Sequence, residues 1–320
     1  MPQKQNRRNF LKCAGMTAAG AVVGLQSKSI AALKGETWTP EVHLFSKHLQ
    51  FLDYQAAAKA AKDMGFDGLE YSVRPRGHVE PENVKRDLPR AIEAHQNQGL
   101  SFKMMVTNIN SPQTPYAQDV LETASALGCR YYRMGYLRFD AALNWRDNLD
   151  AFRSPIEGLA KINESLNLHG AYQNHSGNYV GSYIPDLAYL LEGINPTYLG
   201  SQYDIRHATV EGGKAWKLGF EFLKDHIRSI VIKDFRWESS PGKLQLINTP
   251  FGEGCVDFKA FFKLLAQHRI KPIVSLHTEY DLGGAERGRR EITWPHDKVL
   301  DNIANELQNF RKAWKQHYTA

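Results

Sequence analysis

From about residue 40 onward, short apolar runs alternate with longer stretches in which apolar residues recur at helical spacing. Runs of four to seven residues bounded by turn formers are typical of buried strands, and the stretches between them are typical of amphipathic helices. This alternation predicts a parallel sheet covered by helices. Eight such strands are predicted, at residues 42–46, 68–72, 101–107, 130–134, 168–173, 198–204, 228–233 and 272–276.

The helices between these strands carry recognisable end signals. Asp53 is placed to cap a helix that Gly65 ends, and a second helix ends before Gly128. Residues 258–268 form a further helix, and residues 298–317 form a last amphipathic helix that packs against the sheet. Eight strand–helix units predict an α/β fold of the (β/α)8 TIM-barrel type, built as a single domain. The alternative is an open doubly wound sheet, but residues 46–49 lack the glycine-rich turn that such a sheet usually carries after its first strand.

The first 31 residues predict a targeting segment rather than part of the fold. Arg7 and Arg8 form a twin-arginine pair, a weakly apolar stretch follows at residues 13–25, and small residues at 29–31 offer a cleavage site. We therefore expect a cleaved Tat signal, export to the periplasm, and a mature barrel domain at residues 32–320. The apolar stretch is shorter than the roughly 20 residues of a membrane-spanning helix, so we expect no stable membrane anchor.

Charge and cysteine content narrow the possible partners. Five of the 40 Lys and Arg residues lie in residues 1–31, which contain no acidic residue, so the remainder is close to neutral. The chain shows no basic stripe interleaved with aromatic residues, and nucleic acid is not an expected partner. Cys129 and Cys255 are far apart in the sequence and are expected to be buried thiols rather than a disulfide.

Polar residues stand at the end of every predicted strand, where the mouth of a barrel places its chemistry. Each one alone has an ordinary explanation, because strand ends meet solvent and Asp or Asn there often caps the next helix. The whole set indicates a functional cluster, since so many charged groups are costly to gather without a ligand. The set is Lys47, Glu70, Asn108, Arg133, Gln173, Asn174, His175, Asp204, His207, Lys233, Asp234, His277 and Glu279.

Several short motifs carry a resemblance to a known family. They are Asp-Ile-Arg-His at 204–207, Ile-Lys-Asp at 232–234, Phe-Gly-Glu-Gly at 251–254 and Leu-His-Thr-Glu-Tyr at 276–280, preceded by opening motifs at 45–49, 65–70 and 73–79. In this order the chain resembles the sugar phosphate isomerase/epimerase family, also called xylose isomerase-like TIM barrels, over residues 40–312. The resemblance implies a sugar or polyol substrate and a divalent metal such as Mn, Mg, Co or Zn.

The resemblance also implies where that metal is held. Asp204 and Glu279 match two of the family's metal ligands, and Gln173 stands where a glutamate is usual. Val231 stands where a histidine is common, so this chain departs from the family at two of four positions. An uncharged amide and a valine weaken a metal site unless another group substitutes, and the candidates are Glu70, His175, Glu253 and His277. An ammonium at Lys233, on the same strand face as Val231, is an alternative source of positive charge.

The family's chemistry implies removal of a proton from a carbon next to a carbonyl. Glu279 is then the expected base, His175 or His207 the partner acid, and Lys233 or a metal the electrophile. Because Gln173 cannot act as a base, a lyase is a rival: a dehydratase or a 3-keto-glycoside-cleaving enzyme. A non-catalytic periplasmic sugar-binding protein is a further alternative, and an oligomer is possible. The expected substrate-binding residues are Lys47, Glu70, Arg133, Asn174, His277 and Glu253.

Four basic residues leave a further choice open. Lys47, Arg74, Arg76 and Arg133 lie near the predicted mouth and are suited to bind a phosphate or a carboxylate on the substrate. Equally, they are suited to form ion pairs with the acids nearby. The sequence alone does not decide between these two roles.

Overall fold

A computed structural model describes residues 38–319. The predicted Tat signal and its cleavage site lie outside the described residues. Within residues 38–319, no helix is both long enough and apolar enough to cross a membrane.

Eight parallel strands close into a barrel, as the sequence predicts. Each barrel strand pairs with its neighbour in the chain, and the last strand closes the ring by pairing with the first, with Leu44 opposite Leu276. Each observed strand lies within three residues of its predicted ends. The barrel strands are β1 (Val42–Phe45), β2 (Gly68–Val73), β3 (Met104–Thr107), β4 (Tyr131–Arg133), β5 (His169–Gln173), β6 (Leu199–Asp204), β7 (Ile227–Ile232) and β10 (Ile273–Leu276).

Helices cover the outside of the barrel and bury its apolar strand faces. α1 begins after Asp53, whose carboxylate accepts a hydrogen bond from Ala56 N at 2.8 Å, and it ends at Gly65 in the left-handed region, so both predicted caps are confirmed. The C-terminal helix packs on the barrel through buried Phe310 and Trp314, also as predicted. The helices are α1 (Tyr54–Met64), α2 (Val84–Asn97), α3 (Ala117–Ala126), α4 (Trp145–Leu166), α5 (Ile184–Leu191), α6 (Ile205–Gly212), α7 (Trp216–Leu223), α8 (Phe258–Gln267) and α9 (His296–His317).

A β-hairpin follows the seventh barrel strand and was not predicted. Its strands, β8 (Asp234–Ser240) and β9 (Lys243–Thr249), pair antiparallel around a turn at Pro241 and Gly242. The signal was present in the sequence, because a Pro-Gly pair between two alternating segments is a strong turn signal. The base of this hairpin borders the barrel mouth.

Asp234 fixes the chain at the base of the hairpin. Its carboxylate accepts hydrogen bonds from the backbone N–H groups of Phe235, Gly252, Gly254 and Val256, at 2.8 to 3.2 Å. A side chain at position 254 would place its Cβ 2.2 Å from an Asp234 oxygen, so only glycine fits there. Asp234 is therefore a structural residue that holds the turn after β9.

The two cysteines of the barrel domain are both free thiols in different surroundings. Cys129 is buried as predicted, but Cys255 is exposed in the turn after β9, so the expectation of two buried thiols is wrong for Cys255. Asp234 holds that turn through backbone N–H groups, and Phe251 and Val256 at its ends are buried, which leaves Cys255 between them exposed.

Candidate functional site

Lys233 lies at the centre of a charged cluster at the barrel mouth. It directly follows β7, and its side chain is 4% exposed. The ammonium Nζ lies 3.1 Å from Asp204 Oδ2, 3.3 Å from Glu279 Oε2 and 2.9 Å from His207 Nε2. Two carboxylates thus form ion pairs with this ammonium, and one imidazole lies against it. The carboxyl ends of β6, β7 and β10 thus meet on one cation.

His207 and Asp204 are held in place by their neighbours. His207 Nδ1 accepts a hydrogen bond from Ser176 N at 3.1 Å and lies 2.7 Å from the Ser176 hydroxyl and 3.0 Å from Arg206 Nη1, while Nε2 lies 2.9 Å from Lys233 Nζ. Burial and the nearby Lys233 charge lower the pKa of His207 well below its usual value, so the ring is neutral at pH 7. Asp204 caps α6 by accepting a hydrogen bond from His207 N at 3.1 Å.

Asn174 binds the backbone of Asp204 rather than facing the mouth. Its side-chain N–H group donates to Asp204 O at 2.9 Å, and its carbonyl oxygen accepts from Asp204 N at 2.8 Å. Asn174, predicted as a substrate contact, therefore fixes the backbone at the end of β6.

Glu279 is the carboxylate of the cluster that reaches solvent. Its side chain is 24% exposed, whereas that of Asp204 is fully buried. Lys47 Nζ lies 3.1 Å from one oxygen of Glu279, and Lys233 lies 3.3 Å from the other. Burial by itself raises the pKa of this carboxyl, but Lys233 and Lys47 hold it well below its usual range. Glu279 is therefore ionised and open to the mouth.

Gln173 is turned away from the centre of the cluster. Its Nε2 donates to Asp204 Oδ2 at 2.7 Å, and its Oε1 accepts from Tyr136 OH at 2.7 Å and Arg133 Nη1 at 3.1 Å. The oxygen that was expected to bind a metal is thus fully used by two donors. Val231 is buried in β7 and offers no ligand atom.

These residues do not fit a divalent metal. The point toward which Asp204, Glu279 and His207 converge is filled by the Lys233 ammonium. Protein ligands bind ions such as Zn2+ or Mg2+ at about 2.0–2.2 Å, and a metal there would face this ammonium at close range. Across residues 38–319, no group of three or more His, Cys, Asp or Glu side chains is arranged to hold a metal ion.

His175 lies beside the cluster and is uncharged. Its Nδ1 donates to Ser176 O at 2.8 Å, so the unprotonated nitrogen is Nε2. Its ring lies 4.0 Å from the His207 ring and 4.9 Å from the Tyr136 ring, measured between centroids. Burial and the Lys233 charge lower its pKa to about 4. At neutral pH His175 is thus a proton acceptor, rather than the acid that the sequence suggested.

A buried polar layer lies beneath the mouth. Glu70 accepts hydrogen bonds from Gln202, at 2.9 Å, and from Ser275. His277 Nε2 lies 3.0 Å from the Ser275 hydroxyl, and its ring stacks on Phe45 with centroids 4.7 Å apart. Glu70 and His277 are at most 2% exposed. The structure therefore places these two predicted substrate-binding residues as supports under the mouth.

Glu253 is the predicted site residue that the structure does not bring to the cluster. It lies in the exposed turn between Gly252 and Gly254 and takes part in none of the ion pairs around Lys233. The flanking glycines, read in the sequence as room for a ligand, instead let the backbone approach Asp234.

A polar cavity of about 430 Å³ opens at the mouth, within the range of small-molecule sites. It is lined by Lys47, Asn248, Glu279, Asp281, Glu286 and Arg287. A second cavity, of about 480 Å³, is mostly apolar and lies on the barrel exterior beside α5 and α7. The ionisable cluster lies at the first cavity, which is therefore the candidate site.

Sequence reasoning missed Ser176 and Asn248 as parts of this site. Ser176 holds His207, and Asn248 donates to Glu279 O at 3.1 Å while accepting from Arg206 Nη2 at 2.7 Å. Ser176 is three residues beyond the end of β5, a position that could have been flagged. Asn248 comes from the hairpin, so its role was hidden until that hairpin was known.

The chain belongs to the xylose isomerase-like TIM barrel family. The model of that family matches residues 58–297, which include the whole Lys233 cluster except Lys47. Both the predicted fold and the predicted family are confirmed.

Known proteins of this type include sugar epimerases and a dehydratase. Inosose dehydratase of Bacillus velezensis is 27% identical over 143 residues, and the match spans 41% of this chain and 47% of that protein. D-psicose 3-epimerase of Clostridium cellulolyticum H10, solved with D-tagatose, superposes with a TM-score of 0.62 at 10% identity, covering 86% of this chain and 99% of that one. A xylose isomerase-like protein of Mycobacterium smegmatis, solved with magnesium, gives 0.59 at 10% identity, covering 84% and 98%.

Proposed function

We propose that this protein is a sugar isomerase or epimerase that removes a proton from a carbon next to a carbonyl group. The observation that carries this proposal is Glu279, an ionised carboxylate open to the mouth and contacted by Lys47 and Lys233. A base and a cation held side by side are what enolisation needs. The sugar epimerases among the structural neighbours are in keeping with this chemistry.

Each residue has a defined part in this reaction. Glu279 accepts the proton from carbon, and the nearby positive charge of Lys233 stabilises the oxygen on which negative charge develops. Lys233 supplies fixed positive charge there, so the divalent metal expected from the resemblance is not part of this proposal. His207 and Asp204 keep Lys233 in place through contacts at 2.9 and 3.1 Å.

Two routes return the proton to the substrate. Gln173 cannot act as a second carboxylate base, so Glu279 can return the proton itself, which gives an isomerase. In an epimerase, a water held by His175 Nε2 protonates the other face of the enolate, and the proton on Glu279 neutralises the hydroxide that is left. Both routes share the same enolate.

A dehydratase or 3-keto-glycoside-cleaving lyase is the second candidate. One carboxylate base combined with two neutral histidines also suits loss of a hydroxyl or glycosyl group next to the enolate. The similarity to an inosose dehydratase over part of the chain supports this second candidate. Product analysis separates the two: a lyase gives an unsaturated ketone or free aglycone, whereas an isomerase or epimerase gives a product of unchanged mass.

The test is exchange of carbon-bound hydrogen with solvent. The purified protein is incubated in D2O with ketoses, aldoses and keto-inositols, and deuterium next to the carbonyl is followed by NMR. We expect exchange with wild type and a rate reduced by about 10²–10⁴ in Glu279→Gln. Circular dichroism checks that the variant is folded. A folded wild type without exchange on any of these sugars or on their uronate and phosphate derivatives would contradict the enzyme and favour a sugar-binding protein.

We further propose that the protein is exported through the Tat pathway and acts in the periplasm on a small sugar or polyol. The twin arginines at Arg7 and Arg8 support this. In fractionated cells, the periplasmic protein should begin near residue 32, and Arg7→Lys with Arg8→Lys should keep it in the cytoplasm. Periplasmic protein that retains residues 1–31 would contradict the cleavage.

A further inference from the structure

Two arginines lie over one aromatic ring at the barrel mouth, a ring that Lys47 also contacts at 5.3 Å. Arg74 directly follows β2 and Arg133 ends β4. Their guanidinium carbons lie 5.4 and 5.7 Å from the centre of the Phe45 ring, which ends β1. Arg74 and Arg133 thus form an arginine pair over this ring.

Neither member of the arginine pair is neutralised by an acid. Among residues 38–319, the ion pairs within 4.0 Å include neither Arg74 nor Arg133. Arg133 is 5% exposed, its Nη1 donates to the uncharged amide of Gln173, and its buried Nε has no acceptor. The ion-paired role left open by the sequence is therefore not the one that the structure shows for these two residues.

The acids of the mouth are already committed to other groups. Glu279 lies between Lys47 and Lys233, and Asp204 binds Lys233. Glu70 accepts from Ser275 and Gln202. Glu70 and Glu279 therefore act on Arg74 only at long range, and among residues 38–319 no carboxylate lies within 4.0 Å of either arginine.

Leaving two guanidinium groups close together and partly desolvated is costly. Burial and the Arg133 charge lower the pKa of Arg74 to about 10, which reflects the same repulsion. A ligand that brings negative charge removes this cost. Guanidinium groups match carboxylate and phosphate oxygens geometrically and bind them through paired hydrogen bonds.

We propose that the substrate carries an oxyanion group, a carboxylate or a phosphate, which the arginine pair binds. This inference rests on the proposed function, because the same molecule presents its carbonyl to Glu279 and Lys233. The two ends of the substrate then contact different strands: β1, β2 and β4 for the oxyanion, and β6, β7 and β10 for the reacting carbons. The substrate class is an acidic or phosphorylated sugar rather than a neutral one.

The test is binding without turnover, measured by isothermal titration calorimetry on the whole protein. The probes are D-glucuronate, D-glucose 6-phosphate, inorganic phosphate and neutral D-glucose. Arg74→Gln and Arg133→Gln each remove one charge of the pair. Arg76→Gln is the matched control, because Arg76 lies two residues away on the same segment and is exposed. Thermal unfolding checks the fold of each variant.

We expect an anionic probe to bind wild type and the Arg76 control alike, and its Kd to rise about 10-fold or more in Arg74→Gln and in Arg133→Gln. Preference for glucuronate or for the two phosphates identifies the group. The proposal is overturned if no anionic probe binds, if neutral glucose binds equally well, or if the two arginine variants bind the anions as wild type does. Deuterium exchange on neutral sugars is scored separately, so failure here leaves the proposed enolisation standing.

Discussion

The two sides of the barrel mouth hold similar charges in opposite states. On the side of β6, β7 and β10, Lys233 has two carboxylates and an imidazole within 3.3 Å, and each carboxylate there faces a cation. On the side of β1, β2 and β4, Arg74 and Arg133 have no carboxylate partner within the described residues. A satisfied cluster holds its own geometry, whereas an unsatisfied one is completed by a ligand. We infer that the Lys233 cluster carries out the chemistry and that the arginine pair recognises the substrate.

Removing the central cation should have the largest effect on stability. Lys233→Met leaves Asp204 and Glu279 without their shared partner, and we expect the free energy of unfolding to fall by about 3–5 kcal/mol. Urea denaturation measures it. Lys47→Met is the control, because Lys47 forms an ion pair with Glu279 alone and is more exposed, at 13%. Equal small losses in both variants would show that Lys233 is not the centre of the cluster.

Outside the mouth, Glu306 is a buried acid without a cationic partner among the described residues, and it should make the stability of the protein depend on pH. Glu306 on α9 is buried, accepts hydrogen bonds from Phe251 N and lies near Tyr280, Glu253 and Asp234. Burial raises its pKa to about 7. The native state therefore holds a proton that the unfolded chain releases near pH 4.5, and stability falls as pH rises from about 4.5 to 7. The loss from this group is about 3 kcal/mol, complete above pH 7.

Glu306→Gln should remove this pH dependence and make the protein more stable than wild type at pH 8. Thermal unfolding between pH 5 and pH 8 measures it. The same slope in both proteins would show that Glu306 does not titrate in this range.

The backbone that surrounds the Asp234 carboxylate leaves no room for a side chain at position 254. Gly254→Ala places a Cβ 2.2 Å from Asp234 Oδ1, and we expect a loss of about 1–3 kcal/mol in unfolding free energy. Gly212→Ala at the end of α6 is the matched control, because its nearest atom, a Trp216 carbon, is 3.8 Å away and its φ is −98°. The control should stay within about 0.5 kcal/mol. A wild-type free energy of unfolding in Gly254→Ala would show that position 254 has room for a side chain.

Removing an unpaired cation should have the smallest effect and the opposite sign. Arg74→Gln relieves repulsion from Arg133, and we expect the ligand-free protein to gain about 0.5–1 kcal/mol in unfolding free energy. Exposed Arg76→Gln should change nothing. A loss of stability in Arg74→Gln, similar in size to that of Lys233→Met, would show that both sides of the mouth are paired and would remove the contrast.

The sequence was sufficient for the barrel and for the members of the reactive cluster. Asp204, Lys233 and Glu279 follow neighbouring strands, and parallel strands bring their carboxyl ends to one mouth, so their meeting was predictable. The sequence did not predict which of these groups form pairs, because pairing depends on the direction of each side chain. Gln173 turns its oxygen to Tyr136 and Arg133, a choice fixed by distant residues. The unpaired state of Arg74 likewise depends on where every nearby acid points.

The central claim is that the Lys233 ammonium takes the place of a divalent metal between Asp204, Glu279 and His207. The direct test is elemental analysis and Mn2+ and Zn2+ titration of folded wild type, Lys233→Ala, Asp204→Ala and Glu279→Ala, with circular dichroism as the folding check. We predict no stoichiometric metal in wild type, and a site in Lys233→Ala, where two carboxylates and an imidazole then face an empty position. Near-stoichiometric metal in wild type that is lost in both Asp204→Ala and Glu279→Ala would contradict the account.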